Sequence, residues 1–120
     1  MKTRIHEILR VAQPAFLINS EHKACRYETA DGQPLQAGYY FALWPARAKT
    51  RHYGREVRYF GPFAGKDEAL LLEVCAEHLG LIAPTSVGWF GAADSLSPAV
   101  RAAYASLLKL VTRQAPRCSP

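Results

Sequence analysis

No apolar run in this sequence approaches the roughly 20 residues needed to cross a bilayer. The longest, 15–18 and 69–72, are the size of core segments. The start, Met1-Lys2-Thr3-Arg4, is basic, but no long apolar stretch or small-residue cleavage site follows. A secretory leader is therefore not expected, and the chain is expected to work in the cytoplasm without a membrane partner. Cysteine is scarce. Cys25, Cys75 and Cys118 are odd in number and far apart, so they cannot all pair within the chain, and a reducing compartment suits them. Cys75 falls in an apolar helical pattern and reads as a small core residue, while Cys118 reads as exposed.

The motifs of common chemistries are missing too. His6, His22, His52 and His78 have no metal-ligand spacing with one another or with the cysteines. The sequence holds no Gly-x-Ser-x-Gly elbow and no dinucleotide fingerprint. The segment 61–66 ends on glycine and lysine, but Asp67 stands where a phosphate loop needs a hydroxyl. A nucleophile couple of Cys25 and His52 is disfavoured, because Cys25 shares its alternation with Tyr27 and reads as core. No cofactor, no metal and no enzymatic activity are expected.

What is present describes one folded domain over residues 1–120. Hydrophobic residues make up 49% and charged residues 21%. A chain of this length buries roughly two-thirds of its unfolded surface, enough to fold without a metal or disulfide. Fifteen Lys and Arg against ten Asp and Glu give a net charge of +5, which favours acidic or phosphate-rich partners.

The periodicity predicts an α+β domain: a three- to four-stranded antiparallel sheet, a helix packed across it and an additional C-terminal helix. Ile5, Ile8, Leu9 and Ala12 have helical spacing, so 3–12 reads as a helix ended by Pro14, with a strand as the rival. Alternation gives a strand at 23–29, aromatic strand formers give 38–44, and a third strand falls at 56–60, together an antiparallel meander. A helix over 66–79 carries Asp67 and Glu68 in its first turn, with Leu70, Leu71, Val74, Cys75 and His78 on its apolar face and Gly80 as its cap. His78 on that face reads as a buried histidine. The last helix, 98–114, opens on Ser97 as N-cap and Pro98, buries Val100, Tyr104, Leu107, Leu108 and Val111, and is expected on a flank or on the second face of the sheet.

The most unusual stretch joins the last two predicted strands. Arg47, Lys49, Arg51, Arg55 and Arg58 lie within it, interleaved with His52 and Tyr53 and followed by Tyr59. Guanidinium groups pair with phosphates and aromatic faces stack on bases, so the stretch has the ingredients of DNA or RNA recognition. The plainer reading is a solvated hairpin whose charges deter edge-to-edge sheet pairing. Arg101, Lys109 and Arg113 add a basic helical stripe.

The run Arg58-Tyr59-Phe60-Gly61-Pro62-Phe63 followed by a helix opening at Glu68-Ala69 resembles the strand–turn–helix junction of plant-type and integrase-type DNA-binding domains. A similar junction occurs in peptidoglycan-binding domains of septal proteins and in small bacterial proteins. The resemblance covers residues 38–80. It implies a three-stranded sheet and one helix, with Tyr40, Arg47, Arg51, Arg55 and Arg58 facing the major groove. A protein-interaction role is the alternative. Tyr40, Trp44, Trp89 and Phe90 would then form an aromatic patch for a partner or a second copy. Both rows of the 38–44 strand are apolar, so either the two helices cover opposite faces of the sheet or one row is an interface.

Overall fold

The computed structural model describes residues 4–13, 16–83 and 97–114, with the side chains of 112–114 left out. Trp89, Phe90, Cys118, Pro14 and Pro116 lie outside the described residues. The fold is α+β. Among the described residues five strands, β1 (His6–Gln13), β2 (Phe16–Ile18), β3 (Ala24–Cys25), β4 (Gly38–Leu43) and β5 (Arg58–Phe63), precede two helices, α1 (Lys66–His78) and α2 (Pro98–Gln114). All neighbouring strands are antiparallel, in the order β3-β2-β1-β4-β5. The first three follow one another along the chain, and the fourth returns by a long connection to lie beside the first, which is a Greek key. β5 then adds to β4.

This order replaces the meander expected from the sequence. The segment read as a helix over 3–12 is the central strand. Leu9 and Val11 are buried in one layer, while Ile8, half-buried on the opposite face, packs against the other. Apolar residues in both phases of a period of two imitate helical spacing. The strand expected at 23–29 shortens to Ala24–Cys25, because the chain then leaves the sheet edge and crosses the second face on its way to β4.

Both helices pack on one face of the sheet, against β4 and β5, with Phe41, Leu43, Phe60 and Phe63 beneath them. The helix expected on the second face or a flank is thus beside its partner. Glu68 joins the two N-terminal ends: one carboxylate oxygen accepts from the Ala64 amide and the other from the Ser97 hydroxyl. Ser97 in turn accepts from the Val100 amide at 3.2 Å, which confirms it as the N-cap of α2. At the far end of α1, Gly80 has φ +77° and the Leu81 amide reaches the Ala76 carbonyl, the glycine cap expected there. The buried stripes are turned slightly from the expected ones. In α1 Ala69, Leu72, Val74, Cys75 and Ala76 are buried, whereas Leu70 and His78 are exposed. Burial pushes the Cys75 thiol up. In α2 Val100, Ala103, Leu107 and Leu110 are buried and Leu108 is exposed.

The glycine–proline pair expected to turn the chain sits inside β5. Phe41 faces Phe60 and Tyr39 faces Phe63, so β5 carries one extra residue over this stretch, a bulge containing Gly61 and Pro62. The bulge lets Phe60 and Phe63, three residues apart, reach the same helix-covered layer. Gly61 has φ +149°, and a Cβ there would lie 2.7 Å from the Tyr39 carbonyl oxygen. Gly61→Ala is therefore expected to cost about 1–3 kcal/mol, while Gly65→Ala, where an added Cβ meets nothing within 4 Å, leaves stability nearly unchanged. Chemical denaturation of the two variants checks the contrast.

Candidate nucleic-acid interface

The second face of the sheet carries Leu9, Val11, Leu17, Tyr40, Ala42 and Trp44, and among the described residues no helix packs on it. Loops of the chain cover it. Residues 26–37 place Tyr27 and Leu35 on it, and residues 45–57 add Ala48, Tyr53 and Val57. The Glu28 amide donates to the Tyr53 carbonyl and ties one loop to the other. The basic stretch is therefore an irregular covering loop and not a hairpin, and Arg47, Lys49 and Arg51 do not share a strand face.

A buried carboxylate fixes this loop. Glu7, on β1, is 4% exposed. Its Oε1 accepts a 2.6 Å hydrogen bond from the Tyr53 hydroxyl, and its Oε2 accepts from the Ser20 amide at 3.0 Å and from the Ser20 hydroxyl. Arg51 Nη1 stands 3.9 Å from the same oxygen. Nearby, the Trp44 indole N–H donates to the His52 carbonyl at 2.9 Å, and the Trp44 and Tyr53 rings pack 5.5 Å apart. Burial, followed by the Glu7 contact, pushes the Tyr53 hydroxyl well above its ordinary pKa. Tyr59 is pushed up as well, chiefly by burial, and its buried hydroxyl has no hydrogen-bond partner among the described residues.

These contacts sort the residues expected at a binding surface. Tyr40 and Trp44, 2% and 0% exposed, are core residues and offer nothing to a partner. The Tyr40 hydroxyl donates inward to the Gln36 carbonyl. The apolar row expected either under a second helix or at an interface is covered by the chain itself. Tyr53 is half-buried against Trp44, so it is no stacking platform. Arg51 is turned to Glu7, and Lys49 and His52 are exposed on the loop apart from the other cations.

Arg47, Arg55 and Arg58 do come together. They line one groove of about 860 Å³ between residues 29–36 and β5. Arg47 and Arg58 also line an adjoining depression of about 440 Å³, where they meet Arg4. Burial and the nearby Arg58 charge both lower the Arg4 pKa, the sign of cations gathered closer than they would settle alone. None of the four forms an ion pair among the described residues. The carboxylates in the grooves are Glu56 and Asp31, and Asp31 is held below its ordinary pKa mainly by the Gln33 amide and the Thr29 hydroxyl. The last helix contributes Ser106 and Leu110 to the groove walls but neither Arg101 nor Lys109.

Arg4 is the residue that sequence reasoning missed. β1 and β4 pair with His6 opposite Leu43, and Leu43 lies opposite Arg58 on β5. The same register carries Arg4 to the end of the sheet where Arg47 and Arg58 lie. Reading 3–12 as a strand would have put Arg4 there.

Among the described residues no group of three His, Cys, Asp or Glu could hold a metal ion, and no helix is long and apolar enough to cross a membrane. The chain matches no protein-family model, no curated protein and no solved structure.

Removing the Tyr53 hydroxyl leaves a buried carboxylate oxygen without its donor, so Tyr53→Phe is expected to cost about 1–3 kcal/mol in chemical denaturation. The raised Tyr53 and Tyr59 pKa values also set a sign. In the unfolded chain tyrosines ionise near 10. Above that pH the unfolded state binds fewer protons than the folded one, and stability falls as pH rises. Thermal unfolding at pH 7 to 11 should show this loss beginning near 10, with a smaller decline in Tyr53→Phe.

Proposed function

We propose that this protein is a cytoplasmic, non-enzymatic nucleic-acid-binding module that grips the phosphate backbone through Arg4, Arg47, Arg55 and Arg58. The observation that carries the reading is the gathering of four guanidinium groups from three segments of the chain without ion-pair partners among the described residues. A protein ordinarily spaces like charges apart or pairs them. Arg4 instead keeps a charge that burial and Arg58 both disfavour, and a bound phosphate would relieve that arrangement.

The aromatic half of the original expectation drops out. Tyr40, Trp44 and Tyr53 face inward, so this surface recognises charge and not unpaired bases. Backbone contacts position a protein on a duplex without reading its sequence. Double-stranded probes should therefore bind at least as well as single strands, with little sequence preference.

Fluorescence anisotropy with a labelled duplex tests the reading. If all four arginines neutralise phosphates, the log–log dependence of affinity on salt should have a slope of about −3.6, at roughly 0.9 per phosphate. Arg47→Glu/Arg55→Glu/Arg58→Glu should abolish binding, while Lys23→Glu, at an exposed site beside Glu21, should not. Absence of binding at low salt, or an unchanged affinity in the triple variant with a native circular dichroism spectrum, overturns it.

A further inference from the structure

A second groove, sharing no residue with the arginine grooves, runs along an unpaired stretch of the central strand. β2 pairs with β1 only from Arg10 onward. On the other edge of β1, the Trp44 amide donates to the Ile5 carbonyl, so Ile5 and Trp44 are a hydrogen-bonded pair. Antiparallel pairing alternates, and Glu7 and Leu9 likewise turn their backbone groups to β4. The amides and carbonyls of His6 and Ile8 therefore point the other way, to the side β2 has left. In register, Ile8 would meet Ser20, but the Ser20 amide is committed to Glu7. Asn19 Oδ1 accepts from the Glu21 and Lys23 amides and turns the chain away. No backbone partner for His6 or Ile8 on that side exists among the described residues.

This edge lines a cleft of about 570 Å³, together with Lys66 and Leu70 of α1 and with His22 and Arg51. Leu70 is among the few large apolar side chains left exposed. The charges favour one kind of occupant. Arg10 and Lys66 have no ion pair among the described residues, the Glu7 carboxylate is already filled with donors, and Glu73 is 3.1 Å from His6. With Arg10, Arg51 and Lys66 against Glu7 and Glu73, the walls carry a net positive charge. A second copy would bring the same cations face to face, which disfavours self-pairing.

We propose that this cleft binds an extended acidic peptide segment of a partner protein, which adds a short strand to β1 at His6–Leu9. Four strand residues span about 13 Å. The backbone of His6 and Ile8 supplies the ladder. Ile8 and Leu70 offer contact to an aliphatic side chain, and Arg10 and Lys66 meet the carboxylates, the strand-addition mode of peptide recognition.

The probe is acetyl-Glu-Val-Glu-Val-Glu-amide, added to isotope-labelled full-length protein while amide exchange is followed by NMR. Slowed exchange of the His6 and Ile8 amides is expected. Binding should weaken about tenfold when alternate peptide nitrogens are methylated, since each methyl removes a ladder hydrogen bond. The Arg10→Glu/Lys66→Glu protein, altered at two exposed positions, should weaken binding similarly. Equal binding of acetyl-Lys-Val-Lys-Val-Lys-amide overturns the proposal, as does indifference to methylation. So does protection of Ile8 that grows with protein concentration without peptide, which would mark a second copy as the occupant. Duplex affinity is measured on the same double variant. Its retention separates this cleft from the phosphate surface, and its loss together with peptide binding overturns the assignment of the cleft to a peptide.

Discussion

The buried carboxylate of Glu7 is the constraint on which the second half of the molecule depends. A carboxylate taken out of water is costly unless donors surround it. Here the Tyr53 hydroxyl and the Ser20 amide and hydroxyl donate to it, and the Arg51 guanidinium pairs with it at 3.9 Å. Those donors come from two segments, the turn after β2 and the loop 45–57. One contact set therefore closes the loop 45–57 over the sheet and bends the turn after β2 away from β1.

Both consequences reach the surfaces that matter. Once Tyr53 is held inside, Trp44 and Val57 are covered, and the chain emerges with Arg47 on one side of the loop and Arg55 on the other. Both meet Arg58 of β5, and Arg47 and Arg58 meet Arg4, which the sheet register brings to the same end. Arg51 is drawn the opposite way. The charges of one short stretch are thus divided by a single internal anion into a structural cation and an exposed cluster. The bend at Ser20 leaves the backbone of His6 and Ile8 facing a cleft.

The other layer is organised by apolar packing with little polar content. The bulge at Gly61 and Pro62 resets the phase of β5, so Phe60 and Phe63 both enter the core beneath the helices. Glu68, bonded to Ala64 and Ser97, fixes the starts of α1 and α2 relative to each other. With both helices on one face, the opposite face had to be closed by loops. Loop closure over an apolar sheet needs specific polar anchors, and Glu7 and Trp44 provide them.

The sequence by itself determined the α+β class, the two helices with the Ser97 and Gly80 caps, and the β4 core, because caps and periodicity act within a few residues. It also marked the basic stretch. It could not show that 3–12 is a central strand, since apolar residues on both faces, Ile8 on one and Leu9 and Val11 on the other, imitate helical spacing. It could not tell Arg51 from Arg47 or Arg55, because their difference is the position of Glu7, forty-odd residues away along the chain. Nor could it bring Arg4 to Arg58, a neighbourhood made by strand register. Local backbone preferences are written in adjacent residues. Which face is covered, which cation is neutralised and which strand edge stays open are settled only when distant segments meet.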